Sequence, residues 1–356
     1  MQRQLKQFHS GVLILVSWML FSIFQFILTT QSQFQQGIEL YQQGDYKKAE
    51  LAFREAIDRD HDHADAYYYL GLTLSQQGQF GQAVAAYRQS LAFTSTDVEP
   101  YSVYYQLGNT LQELDQQDEA IKAYEKVIDL HPTHPATYTQ LAALQYERDN
   151  FSGAIAAARK AIELKPNNAE ALVTLGAALA DQGQLGEAST QLNRAIELEP
   201  QSALAHNNLG TVLIRQNQLD QGVEKFQRAI ELDPSLSLAY SNLGLMLAQQ
   251  QKPDEALAKA EKAVELDSES PKSYFALGVV LMLQNDADKA IPELRQAIDL
   301  KYHYAAAHFA LGLALHAQAE KQEGITHLKQ ARGLAKAQGN VDLMQQVDQA
   351  LQELRA

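Results

Sequence analysis

From about residue 30 onward, short apolar stripes alternate with polar turns in a fixed rhythm. Leu172, Leu175, Gly176 and Leu179 recur at three-to-four spacing, and Ala188, Leu192, Ala195 and Ile196 do so again after a turn at Gly183. Such spacing puts one apolar face on each of two amphipathic helices. Pro200 closes the second helix, because a proline cannot continue the hydrogen-bond ladder.

The pattern returns with a period of 34 residues, as LGAALADQGQLGEASTQLNRAIELEP (Leu175–Pro200) against LGTVLIRQNQLDQGVEKFQRAIELDP (Leu209–Pro234). Units begin at about residues 30, 64, 101, 135, 169, 203, 237, 271 and 305, nine in all. The step from 64 to 101 is 37, so AFTSTDVEP carries three extra loop residues (37 − 34). One helix pair cannot bury its own apolar faces, so the units must stack. Small residues mark where backbones approach closely: Gly71, Gly108, Gly176, Gly210, Gly244, Gly278 and Gly312 in the first helix, Ala49, Ala83, Ala120, Ala154, Ala188, Ala256 and Ala290 in the second. A bulkier side chain at these points overpacks the contact.

Small residues at unit positions 8 and 20, an apolar or aromatic one at 24, Ala at 27 and Pro at 32 resemble the tetratricopeptide repeat (TPR) family from about Thr30 to Lys336. The resemblance implies an all-α, right-handed α-solenoid of about nine TPR helix pairs over residues 30–336. Gly222 and Gly324 replace the second-helix Ala and remain small. Ala158 and Ala260 stand where a larger side chain is usual, which predicts thinner packing. Pro292 falls inside the second helix of the eighth unit and predicts a shift or kink there. After a break at Gly339 and an N-cap at Asn340, Val341, Met344, Val347, Leu351 and Leu354 predict a C-terminal capping helix over residues 338–356.

The net charge of −14 repels nucleic acid and anionic headgroups, so no nucleic-acid partner is expected. The absence of cysteine excludes disulfides, Cys–zinc sites and thiol catalysis. The ten histidines, among them His61, His63, His131, His134, His303, His308 and His316, show no repeated ligand spacing. No phosphate loop, dinucleotide fingerprint or nucleophile elbow occurs. No metal, cofactor, small-molecule substrate or catalytic activity is expected, since the repeats consume nearly all of the chain.

Ahead of the repeats, residues 1–11 form a short tail, and Val12–Thr29 is a run of 18 residues without a charge. As a helix it spans roughly 27 Å, near the hydrocarbon thickness of a bilayer. A signal-peptide core is shorter and ends in a small-residue cleavage site, whereas this chain continues into TTQSQF. The segment therefore reads as an uncleaved transmembrane signal anchor. Arg3 and Lys6 precede it and no Lys or Arg follows until Lys47, which places the repeats of a single-pass membrane protein on the non-cytoplasmic side. The glutamine-rich style resembles membrane-anchored TPR proteins of cyanobacterial type.

In the TPR family the first helices line a concave groove, and the resemblance implies that unit positions 2, 5, 6, 9, 12 and 13 face it. Units two to five then present a tyrosine-rich, acidic half: Tyr68, Tyr69, Tyr105 and Tyr146 with Asp65, Glu113, Glu147, Glu170 and Asp181. Units six to nine present Asn207, Asn208, Asn242, Lys272, Phe275 and Phe309, with Val279, Met282 and Leu313. Tyrosine offers contact area with a polar tip, and carboxamides can grip a peptide backbone whatever its sequence. Tyrosines here can equally serve as stacking between repeats. The chaperone-tail clamp of other TPR domains is matched only at Asn242 and Lys272, so that partner is not supported. The expected function is a membrane-anchored scaffold or adaptor that holds a protein segment and assists assembly or targeting of a complex. The alternatives are an envelope-biogenesis or secretion-associated role, or a non-catalytic regulatory subunit.

Overall fold

The computed structural model describes residues 31–95 and 97–354. Among them every regular element is a helix. The helices pair as α1 (31–42) with α2 (Tyr46–Arg59), α3 (Ala64–Gln76) with α4 (Phe80–Ala92), α5 (Pro100–Glu113) with α6 (Gln117–Leu130), and α7 (Pro135–Glu147) with α8 (Phe151–Leu164). The series continues with α9 (Ala169–Asp181) and α10 (Leu185–Leu198), α11 (Ala203–Arg215) and α12 (Leu219–Leu232), and α13 (Ser237–Gln249) and α14 (Pro253–Leu266). It ends with α15 (Pro271–Leu283) and α16 (Ala287–Leu300), α17 (Ala305–Ala317) and α18 (Lys321–Ala337), and a final α19 (Val341–Glu353). The chain divides into two compact units, one up to Thr137 and one from Tyr138.

Each pair turns by the same device. Position 15 adopts a left-handed backbone in all nine repeats: Gly44, Gly78, Asp115, Asp149, Gly183, Asn217, Gln251, Asn285 and Ala319. The next N–H then reaches back five residues, as from Gln79 to Leu74 O (2.9 Å) and from Glu320 to Leu315 O (2.9 Å), closing a Schellman motif. Only glycine takes this conformation without a Cβ penalty. Ala319→Gly is expected to stabilise the second unit by about 1 kcal/mol, and Gly183→Ala to destabilise it by a similar amount. Urea melts of the two variants check both signs.

Glutamines bind repeat to repeat. At position 14, Gln77, Gln182, Gln216, Gln284 and Gln318 each donate from Nε2 to the start of the preceding repeat's second helix. The acceptors are Tyr46 O (3.3 Å), Ser152 Oγ (2.9 Å), Leu185 O (3.2 Å), Pro253 O (2.8 Å) and Asp288 Oδ1 (2.8 Å). The main-chain acceptors among these already take an intrahelical bond, and the carboxamide of the adjacent repeat donates to their second lone pair.

The core lies between the paired helices. A Cβ placed on Gly71, Gly176 or Gly278 would lie 2.5, 2.5 or 2.6 Å from the side chain of Tyr87, Leu192 or Leu294, each fully buried at position 24. Where position 24 is small, the arrangement changes. Opposite Ala158 stands Ala142 in place of glycine, and both are fully buried. Opposite Ala260, Gly244 meets backbone, with Ala256 O and Ala260 N at 3.1 and 3.2 Å from a Cβ built on it. Lost side-chain volume is thus replaced by a methyl group or by closer backbones, where thinner packing was expected. Pro292 sits inside α16, which runs unbroken from Ala287 to Leu300. At the end, Val347, Ala350 and Leu351 of α19 pack on Leu328 and Ala331 of α18, with Asn340 Oδ1 accepting from Leu343 N (3.0 Å) as N-cap.

No helix among the described residues is long and apolar enough to cross a membrane. The 17-residue α18 is interrupted by Lys321, Glu323, Lys329, Arg332 and Lys336. The single-pass membrane localisation is corrected accordingly. Val12–Thr29, on which that expectation rested, lies outside the described residues.

Candidate functional site

The second unit carries a half-open hollow of ≈ 500 Å³. Its wall follows a diagonal across the first helices of successive repeats. Tyr146 and Glu147 enter from the end of α7, and Ala177, Ala180 and Asp181 from the later turns of α9. Asn207, Asn208 and Thr211 come from the middle of α11, and Leu238, Ser241, Asn242 and Leu245 from α13. Lys272 and Phe275 come from the start of α15, and Tyr304, Ala305 and Ala306 from the entry to α17. Each repeat thus contributes residues nearer its start than the one before, because stacked helix pairs are rotated relative to each other.

The hollow is closed by contacts between residues far apart in sequence. Lys301 Nζ donates to Asp149 Oδ1 (3.0 Å) and lies 2.9 Å from Oδ2. Gln338 Nε2 donates to Asp149 Oδ2 (3.4 Å) and to His303 O (3.2 Å). Arg215 donates to Ala180 O and stands 3.9 Å from Asp342 Oδ2. The Asp149–Lys301 pair is two-thirds or more shielded on both sides, so solvent screens it less than the exposed pairs elsewhere.

Inside, three carboxamides are joined. Asn242 Nδ2 donates to Asn207 Oδ1 (2.9 Å) and Asn207 Nδ2 to Asn208 Oδ1 (3.2 Å), with Thr211 Oγ1 at 3.5 Å from Asn242 Nδ2. Tyr146 donates its hydroxyl to Asp181 Oδ2 (2.9 Å). Asp181 and Lys272 face the hollow and are open to water there, yet protein surrounds them. Burial raises the Asp181 carboxyl, against the hydrogen bond from Tyr146 and the charges of Lys272 and Arg215. Burial lowers the Lys272 ammonium, against the pull of Asp181. Burial also raises the Tyr146 and Tyr304 phenols, reinforced by the charge of Asp181.

The structure brings Tyr146, Asn207, Asn208, Asn242, Lys272 and Phe275 together in this hollow. Phe309 is placed elsewhere: it packs on the cluster of Leu328, Ala331 and Val347 that α19 covers. Tyr68, Tyr69 and Tyr105 belong to the first unit and are taken up by ring contacts. Tyr69 stacks on Phe53 (5.8 Å) and meets Phe34 edge-on (5.7 Å), Tyr68 lies 5.4 Å from Tyr69, and Tyr105 lies 5.0 Å from His134. Burial and neighbouring tyrosines push the Tyr68 phenol up to about 12. Asp65 is buried and accepts from Ser95. Sequence reading missed Asp149, Lys301, Tyr304 and Gln338. All four sit in turns or helix ends off the groove positions, and no periodic signal marks them. Among the described residues no three His, Asp or Glu side chains group as a metal site.

A stack of helix pairs with groove-facing first helices defines an α-solenoid repeat protein. The tetratricopeptide repeat models match residues 34–98 and 209–271, 101–134, 135–168 and 157–188, and a TPR repeat model matches 176–216. The chain belongs to the tetratricopeptide repeat family. Residues 249–331 also match the model for anaphase-promoting complex, cyclosome, subunit 3. No curated protein matches the sequence. Among solved structures, the chain is similar to the APC/C hetero-tetramer Cut9–Hcn1, with TM-score 0.55, 16% identity, and coverage of 89% of this chain and 76% of that one. It is also similar to the C-terminal part of a TPR repeat-containing protein from Cytophaga hutchinsonii, with TM-score 0.51, 16% identity, and coverage of 68% and 99%. These likenesses carry the fold. They carry neither a membrane anchor nor a cyanobacterial type.

Proposed function

We propose that this protein is a scaffold or adaptor whose second unit grips a segment of a partner protein in its hollow and so assists assembly of a multi-protein complex. The observation that supports it is the joined row Asn208–Asn207–Asn242, set on two consecutive first helices, with Asn208 and Asn242 partly exposed in the hollow and Asn207 buried between them. Carboxamides offer both donor and acceptor to a backbone, so they hold a segment with little regard to its side chains. Leu245, Phe275 and Tyr304 add apolar contact. No catalytic activity is assigned.

The test uses peptides selected against the full chain from a random display library. Asn208→Ala combined with Asn242→Ala should weaken the selected peptides about tenfold or more, the worth of one or two hydrogen bonds in an enclosed site. The melting temperature should move by only a few degrees. Unchanged affinity in the double variant would contradict the proposal.

A further inference from the structure

The hollow has features that a groove for a passing segment does not need. It is closed by Asp149, Lys301 and Gln338, and its ≈ 500 Å³ falls in the size range of small-molecule sites.

Its wall also carries two opposite charges that do not meet. No hydrogen bond or ion pair reaches the Lys272 ammonium among the described residues, although Asp181 lies within electrostatic reach. Asp181 has a single hydrogen bond, the one from Tyr146. Both side chains are exposed within the hollow, so water is their partner there until an occupant replaces it.

The charge balance narrows the occupant. Asp149 is already paired with Lys301, which leaves Asp181, within electrostatic reach of Lys272 and Arg215, and the unpaired Lys272 ammonium as the two charges open to an occupant. A simple anion answers Lys272 and meets repulsion from Asp181. A simple cation answers Asp181 and meets repulsion from Lys272. An apolar molecule would strip water from Lys272 and Asp181 and offer neither a partner.

We infer that the hollow binds a small zwitterion, its ammonium on Asp181 and its carboxylate on Lys272, with the carboxamides of Asn208 and Asn242 on the atoms between. Two sources share this chemistry: a free α-amino acid, and a peptide of two or three residues with both ends free. The inference uses the same hollow as the segment-binding proposal but requires free ends, which that proposal does not. It departs from the sequence-based expectation of no small-molecule ligand, because that expectation had no sight of the closure.

Isothermal titration of the full chain decides it, with four probes: mixed α-amino acids, mixed free-ended tripeptides, the same tripeptides acetylated and amidated, and the display-selected segments. Binding of one of the first two is expected, and which one binds identifies the source. Asp181→Asn and Lys272→Met should each weaken it about tenfold or more, as loss of a charge-assisted contact does. The capped tripeptides should not compete. Asp181→Asn is isosteric and guards against a folding defect in Lys272→Met. Binding of capped and free peptides alike, unaltered affinity in Asp181→Asn, or no binding by either free-ended class would overturn the inference. Segments that still bind in any of those cases leave the scaffold proposal standing. Free zwitterions that bind while no segment does would sink the scaffold proposal and keep this one.

Discussion

Gly71→Ala is expected to destabilise the first unit by about 2–3 kcal/mol, although alanine is the better helix former. The added methyl would lie 2.5 Å from Tyr87 Cε1 and 2.7 Å from Cδ1. Tyr87 is fully buried, and its rigid ring has nowhere to swing. The two helices must separate, or the ring must leave its rotamer. For a unit of this size the melting temperature should fall by roughly 10 °C. Tyr87→Ala alone is expected to cost about 3–5 kcal/mol through the cavity it leaves. The double variant recreates the Ala142–Ala158 pair that the second unit already uses at the equivalent positions. Its loss should therefore be smaller than the sum of the single losses by at least about 1 kcal/mol, the coupling expected of residues in contact. Additive losses in a double-mutant cycle would show that the glycine and the ring do not share one space.

Acidification is expected to weaken the second unit between about pH 7 and pH 5.5. His206, His308 and His327 are all held neutral chiefly by burial, which lowers each below the ordinary histidine range. The bonding pattern agrees. His206 Nε2 bonds Pro200 O (3.1 Å) while its buried Nδ1 has no partner, so a second proton would find no acceptor. His308 Nε2 bonds Tyr302 O (3.0 Å), and its Nδ1 meets His327 Nδ1 (2.9 Å). One of those two nitrogens must stay unprotonated. A histidine with a lowered folded value contributes stability that is complete above its unfolded pKa of about 6.5 and is lost as pH falls toward the folded value. The three losses share one sign and therefore add. Asp181 and Glu293, raised by burial, act in the opposite direction at lower pH. Urea melts across this range should show the loss, and His206→Gln, which keeps a donor for Pro200 O and cannot charge, should flatten it. A second unit equally stable at pH 5.5 and pH 7.5 would refute the assignment of neutral histidines.

Much of the fold could be read from the period. The small residues at positions 8 and 20 marked where backbones approach, and Pro200 showed where a helix ends. The left-handed turn was legible at Gly183 because glycine announces it, but not at Gln251 or Ala319, where the Schellman bonds hold a residue that does not favour the conformation. The glutamines read as a style and are in fact the links between repeats. Of the groove positions, those on α11 and α13 line the hollow, whereas Phe309 packs on the cluster that α19 covers. For Tyr68 and Tyr69 the residue type fits stacking as well as binding, and the ring contacts they make could not be read from the period. Closure by Asp149 and Lys301 spans 152 residues and depends on the accumulated rotation of the repeats, a quantity no local pattern encodes.

The central claim is that the second unit closes on itself around its hollow. The chain has no cysteine, so spin labels can be placed singly at Arg148 and His303, on either side of the Asp149–Lys301 contact. A single short and narrow distance distribution in the full chain is the predicted result, and Lys301→Met should broaden it. A long, broad distribution that Lys301→Met leaves unchanged would mean that the hollow is an open groove, and the closed site would not exist.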